Sequence, residues 1–388
     1  MDTTHPARSL AAQAGIAAKI TRVETIPLRV PLRVPVKIAA GGARPDVEVM
    51  LVRLHSDAGV AGVGETQAWR RQGSDATLAS LKAAIEGKFA PLLVGRSPFD
   101  IAPIMRDLEA ALAHSRYAQA PVSDALYDLQ GKLLGVPVYQ LLGGRCRDKV
   151  DSCAVLYLHP DLDATLADAD AIFQRGFRSF AIKAGVDLKA DIANVRALRE
   201  RFGDAVKLRI DANGGMKFDD AAALLEAIEP YGIDAAEQLL PMWELDAMAE
   251  LARRTSIPFV ADECLSDERD LMEIVRRRAA GGIQTKIAKN GGIWHIRKLW
   301  QIADAAGLRI FPGNHPSTSI AISAVAHLST AWPGELLDGP FTVGLSALGE
   351  DIVTGPLRLD GGAVQVADAP GLGVTLDEEE IRKLRAEV

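Results

Sequence analysis

From Val150 onward, short apolar runs alternate with longer stretches whose apolar residues recur every three or four positions. Short runs of this kind predict strands and the three-four spacing predicts helices, so the texture predicts repeated βα units. "VDSCAVLYL" reads as the first strand and "SFAIK" as the second; "KLRID", "DAAE", "PFVAD", "GIQTK" and "RIFPG" follow. Helical stretches such as "DIANVRALRERFG" and "ERDLMEIVRRRAAG" separate them, "STSIAISAVAHLSTA" follows the seventh strand, and "ELLDGP" is the candidate eighth. Seven repeats with an eighth strand predict a parallel barrel with modified ends.

The chain before Val150 has a different texture. Alternation from Ile20, with Val47, Val49, Leu51 and Arg53 on one face and Asp57-Ala58-Gly59 as a turn, predicts an antiparallel hairpin. The link "RVPVKIAAGGARP" is long enough for a mobile flap. Helices follow; in "PVSDALYDLQGKLLG", Val122, Ala125, Leu126, Leu129 and Leu133 form one stripe, and Gly135 and Pro137 stop it. The expected organisation is a disordered leader over 1–19, an α+β domain over 20–147, a barrel over 148–355 and a C-terminal segment over 356–388 that packs back on the first domain.

Composition acts by exclusion. A length of 388 residues predicts more than one domain. A net charge of −7 without a basic run gives no support for nucleic-acid binding, and no apolar run approaches the ~20 residues of a membrane span. Cys146, Cys153 and Cys264 form no CxxC pair and are odd in number, which suits a reducing cytoplasm. Cys264 reads as a buried small residue. "SLAAQAGIAA" is broken by Gln13, and Asp2 offsets Arg8, so it makes a poor secretion signal.

The candidate chemistry lies at the strand ends. Asp211, Glu237, Asp262 and Lys286 each close an apolar run, at separations of 26, 25 and 24 residues (237 − 211, 262 − 237, 286 − 262). In a parallel barrel these ends share the face on which active sites sit. Strand-end acids also serve as helix N-caps. Three carboxylates converging on one point repel one another unless a hard cation lies between them, and an oxygen-only set favours Mg²⁺, with Mn²⁺ as the alternative. Asn213, Gln238 and Glu263 follow the ligands closely enough to orient them.

Lys183 ends the second strand and Lys286 the sixth, on roughly opposite sides of the barrel, so the two amines would flank a substrate held at the metal. Close to the cation and to each other, their pKa values are expected to fall toward a range useful for a general base. Lys289 adds to that field or is exposed. A substrate carboxylate on the metal has an acidified α-proton, because the cation stabilises the resulting enediolate. Reprotonation, loss of a β-group or ring closure then gives a racemase, a dehydratase or a cycloisomerase. A barrel that binds metal without catalysing is the alternative of another class.

These motifs resemble the enolase superfamily, in the muconate lactonizing (muconate cycloisomerase) subgroup of the mandelate racemase/muconate lactonizing enzyme family. "VRLHSDAGVAGVGE" is similar to the family's first hairpin and "SDALYDLQGKLLGVPVYQLLGG" to its helix leading into the barrel; "RIDANGG", "AAEQ", "VADE" and "KIAKNGGI" resemble its ligand and lysine motifs. The resemblance implies an α/β fold, a modified TIM barrel (β/α)7β with an α+β capping domain. It also implies Asp211, Glu237 and Asp262 as Mg²⁺ ligands, Lys183 and Lys286 as the acid/base pair, a small-molecule carboxylate substrate and a homo-oligomer.

There are departures. The family's Lys-x-Lys on the second strand reads Ala181-Ile182-Lys183 here, and His315 in "FPGNHPSTS" falls about where the mandelate racemase subgroup carries a catalytic histidine. Leu336-Leu337-Asp338 replaces the Asp-x-Asp of dipeptide epimerases, and Glu335 corresponds to the glutamate of muconate enzymes on this strand. Trp69, Arg70 and Arg71, with the flap Val36 to Arg44, are candidates for closing over substrate. Tyr157 and His159, ending the first barrel strand, are expected to face it. Muconate cycloisomerase-like lactonizing chemistry is the first expectation, and a racemase, epimerase or dehydratase acting on an amino- or hydroxy-acid derivative the second.

Overall fold

The computed structural model describes residues 17–38, 41–69, 74, 76–355 and 357–388, without side chains at 34–38 and 41–44. Most of the expected leader, Arg70 and Arg71 lie outside the described residues, as do the flap's side chains.

Strands β1 (Ile20–Ile38), β2 (Gly41–Ser56) and β3 (Ala61–Gln67) form an antiparallel sheet with β2 in the middle. The link expected as a loop is largely the continuation of this hairpin, since Val36 pairs with Arg44 and Ile38 with Gly41. A central strand is covered on both faces, and β2 divides its side chains accordingly. Val47, Val49 and Leu51 join a core that continues into the barrel, while Met50, Val52 and Leu54 pack with Phe89, Leu108 and Leu126 of the capping helices. The helix Arg116–Leu134 begins five residues before the expected Pro121 and carries that proline inside it. Gly135, at φ +71°, ends it in the left-handed conformation that glycine adopts without strain.

The expected first barrel strand is split. β4 (Val150–Asp151) pairs antiparallel with β12 (Ala363–Val364), and only β5 (Ala154–Leu156) enters the barrel. The parallel sheet then runs through β6 (Ser179–Lys183), β7 (Lys207–Asp211), β8 (Ala235–Glu237), β9 (Phe259–Ala261), β10 (Gly282–Lys286) and β11 (Arg309–Gly313). The eighth position holds no ladder strand. Leu337 N donates to Ile310 O at 2.9 Å, and Cys153 N donates to Gly339 O at 3.2 Å, so an irregular segment bridges the last strand to the first. The architecture is an antiparallel capping domain on a modified TIM barrel.

The C-terminal residues return to the first sheet: Arg29 N donates to Leu384 O and Ala386 N to Pro27 O, both at 2.9 Å. Among the described residues no helix is long and apolar enough to cross a membrane.

Candidate active site

Register brings the strand-end charges to one level. Lys183 pairs with Asp211 across β6 and β7, and Asp211 with Glu237 across β7 and β8. Asp262 follows β9, Lys286 ends β10, and His315 follows β11. Two amine–carboxylate pairs result. Lys183 Nζ lies 2.5 Å from Asp211 Oδ2 and donates to Asn213 Oδ1 at 2.9 Å. Lys286 Nζ contacts Asp262 Oδ2, and Lys289 Nζ reaches Asp262 Oδ1 at 2.9 Å. Lys289 is therefore buried in the cluster, held also by Leu265 O at 2.9 Å.

The neighbouring residues fix these side chains. Asn213 N donates to Asp211 Oδ1 at 2.8 Å, and Asn213 Nδ2 donates to Glu263 Oε1 at 3.1 Å. Gln238 Oε1 accepts from Asp262 N at 3.1 Å and from Cys264 N at 3.2 Å. Asn213 and Gln238 both hold positive φ, +47° and +35°. Such backbone strain in non-glycine residues clusters at functional sites, where surrounding bonds hold it in place. Beneath Glu237, Arg209 Nη2 pairs with Oε2, and Gln284 Nε2 donates to Oε1 at 2.6 Å.

The electrostatics follow from burial of so many charges together. Burial, then repulsion from Asp211, raises Glu237 to about 7. Burial, then the Asp262 charge, raises Glu263 well above the usual carboxylate range. Burial works against ionised Asp262, but Lys286 and Lys289 outweigh it and hold this carboxyl far below its usual value. Burial likewise opposes the Lys286 ammonium, yet Asp262, Glu263, Glu237 and Asp211 prevail and raise it. That direction is opposite to the fall expected from sequence, an expectation that assumed a cation among the carboxylates.

Among the described residues, no three His, Cys, Asp or Glu side chains stand as a ready-made metal cage. The carboxylates turn to ammonium and guanidinium groups instead. The donor set nevertheless fits a hard divalent cation. All the candidate ligands are carboxylates, Glu237 and Asp262 are fully buried, and the adjacent Glu263 Oε2 is buried without a hydrogen-bond partner.

The capping domain closes the site with aromatic groups. The His315 ring lies tilted by 31° against Trp69, with centroids 4.3 Å apart, and stacks on Tyr117 at 6.1 Å. His315 is buried rather than exposed on a loop; desolvation, followed by Lys286, holds its pKa well below the usual value.

Three expected site residues lie elsewhere. Glu335 is exposed and lines a cavity with Ser179, Lys207 and Arg309, which begin their strands, so it sits at the opposite end of the barrel from Lys183. The irregular eighth segment enters from that end. Tyr157 and His159 line a side cavity, where His159 Nε2 lies 3.0 Å from Asp168 Oδ2. The charge that acts on Tyr157 is Asp168, not the lysines.

Residues 164–380 match the family model described as enolase C-terminal domain-like, and residues 20–143 match the mandelate racemase / muconate lactonizing enzyme N-terminal domain. The chain belongs to the mandelate racemase / muconate lactonizing enzyme family. It is 31% identical to an N-succinyl-L-Arg/Lys racemase of Bacillus cereus, over 94% of this chain and 98% of the relative. To a chloromuconate cycloisomerase of Cupriavidus pinatubonensis it is also 31% identical, over 86% and 90% respectively. A crystal structure of muconate lactonizing enzyme from Pseudomonas fluorescens, complexed with muconolactone, superimposes with a TM-score of 0.90 at 31% identity, covering 95% of this chain and all of that one. Family members of both racemase and cycloisomerase type are thus equally similar, and the chain is an enolase-superfamily enzyme.

Three residues that shape the site escape a sequence reading. Arg209 and Gln284 each lie two positions before a strand-end charge, so strand periodicity turns them inward beneath it. A polar residue interrupting an apolar strand is their signal. Tyr117 has none, because its helix reads from sequence as starting at Pro121.

Proposed function

We propose that the protein abstracts a proton from the carbon α to a substrate carboxylate, with Lys183 and Lys286 as the acid/base groups. The observation that supports this most directly is the convergence of two amines, each on its own carboxylate, at the C-terminal end of one barrel. Asp211, Glu237 and Asp262 would hold Mg²⁺, with Mn²⁺ as the alternative. A cation there would offset the carboxylate field on Lys286 and stabilise charge developing on the substrate carboxylate. Arg209 and Gln284 fix Glu237, and Asn213 orients both Asp211 and Lys183. Trp69, Tyr117 and His315 exclude water, which strengthens every charge interaction inside.

Muconate cycloisomerase-like lactonization is the first outcome assigned. Racemisation, epimerisation or dehydration of an amino- or hydroxy-acid derivative is the second. It is favoured by Ala181, which removes a cation from the second strand, and by the buried His315 imidazole near the lysines.

Deuterium uptake from D₂O tests the reading. With Mg²⁺, the enzyme should exchange the α-proton of a muconolactone or of an N-acylamino or hydroxy acid. Lys183→Met and Lys286→Met should each slow that exchange about 10²-fold or more, the usual scale of general-base catalysis. Exchange undiminished in either variant would remove that lysine from the mechanism. Uptake confined to amino- or hydroxy-acid derivatives would favour the second outcome.

A further inference from the structure

The barrel wall is thin on one side. β5 has β6 along one edge; on the other side, among the described residues, the chain just before it meets Gly339 through the Ser152/Gly339 bridge, the Ser152 Oγ–Gly339 O bond and the Cys153 N–Gly339 O bond, with no ladder strand along β5 itself. The helix beyond, Val343–Ala347, has five residues, whereas Leu162–Gln174 on the first repeat has 13. At 1.5 Å per residue they span about 7.5 Å and about 20 Å. The short helix cannot cover the neighbouring long one, and the uncovered space is a cavity of about 390 Å³. That volume is within the range of small-molecule sites. None of the lysines or carboxylates of the catalytic cluster lines it.

Its lining has two parts. Val155, Ile172, Phe177 and Ala347 make an apolar floor. Polar groups stand around it with unused capacity. Arg33 donates through Nε to Leu348 O at 2.7 Å, and Arg175 through Nη2 to Ser346 Oγ at 2.7 Å, while neither meets a carboxylate among the described residues. The acid in the lining, Asp168, is engaged by His159. The Tyr157 hydroxyl has no hydrogen-bond partner among the described residues.

We propose that this cavity is a second ligand site, separate from the catalytic centre, for a small monocarboxylate with an aryl or branched-alkyl body. The apolar body occupies the floor, and the carboxylate meets Arg33 and Arg175, where a planar guanidinium matches its two oxygens. Tyr157 donates to the same end of the ligand. An apolar ligand without charge would leave both guanidiniums unanswered, and a dianion would exceed what the two can hold beside Asp168.

Calorimetric titration of the full chain with 3-phenylpropanoate tests this. A single saturable site is expected, weakened about tenfold or more by Arg175→Gln and by Val343→Trp, which fills the cavity. Lys183→Met should leave affinity within about twofold, which separates this site from carboxylate binding at the catalytic centre. The neutral 3-phenylpropanamide should bind about tenfold more weakly. No saturation up to about 10 mM, loss of binding in Lys183→Met with retention in Val343→Trp, or equal affinity for the amide would each overturn the proposal. Arg175 is exposed, so its variant remains a test if the tryptophan variant does not fold.

Discussion

His327 is fully buried in the helix Ser319–Ala331, and its Nδ1 accepts a hydrogen bond from Tyr139 N at 3.2 Å. Accepting at that nitrogen requires the ring to be unprotonated there, and burial lowers its pKa to about 4. An unfolded histidine titrates near ~6.5. The folded pKa is therefore depressed, so the stability this residue contributes is complete above ~6.5 and is lost as pH falls toward ~4. Between pH 7 and pH 5 the loss is about 2 kcal/mol. Urea unfolding at the two pH values should show the native chain losing that much more than His327→Asn, whose amide oxygen can take the same bond but does not titrate. Equal losses would exclude His327 as the source.

At this scale legibility depended on how far a residue's partner lies along the chain. The strand-end charges can be read because each closes its own apolar run. Trp69 and Tyr117 meet His315 across 246 and 198 residues (315 − 69, 315 − 117), and no local pattern encodes that contact. Glu335 misleads because "ELLDGP" reads as a strand whose end would carry the site, whereas the segment is irregular and Glu335 lies at its entrance.

Helix Arg116–Leu134 is the element that joins the two domains. Along one side it lies against β3 so closely that a Cβ on Gly64 would stand 2.2 Å from Pro121 O, and one on Gly62 2.1 Å from Ala125 O. Backbone cannot yield that distance locally, so strand and helix would have to separate. Gly64→Ala should destabilise the protein by about 1–3 kcal/mol, the usual cost of overpacking. A thermal midpoint unchanged from the native chain would contradict this packing. On its other side the helix completes the barrel: Asp124 Oδ1 accepts from Ile293 N at 2.8 Å and Ser123 Oγ from Trp294 N at 3.1 Å. These are the first-turn donors of the helix Gly292–Ala305, whose own N-cap is a glycine without a side chain to offer. The loop that precedes that helix runs from Lys286, the end of β10, and carries Lys289, so the capping domain steadies the segment between the two lysines and the helix from outside the barrel. The apolar stripe of Arg116–Leu134 was legible from its spacing; Asp124 and Ser123 were not, since polar residues on a helix ordinarily face water.

For the whole molecule, the cluster of strand-end charges is a product of barrel closure. Asp211, Glu237 and Asp262 span 51 residues of chain (262 − 211), and they converge only when β7, β8 and β9 lie side by side. In the unfolded chain they are separate carboxylates with ordinary hydration. A divalent cation that needs all three therefore binds the native state almost exclusively, and its binding free energy adds to folding. At a hundredfold excess over Kd the gain is about 2.7 kcal/mol. Mg²⁺ should accordingly raise the thermal midpoint, compared at equal ionic strength with NaCl so that simple screening is matched. Glu237→Gln and Asp262→Asn should lose the effect, each starting from a lower midpoint than the native chain because Arg209, or Lys286 with Lys289, is left without its buried carboxylate. The same rise in both variants as in the native chain would mean that the cation binds elsewhere, and the assignment of these carboxylates as its ligands would fail.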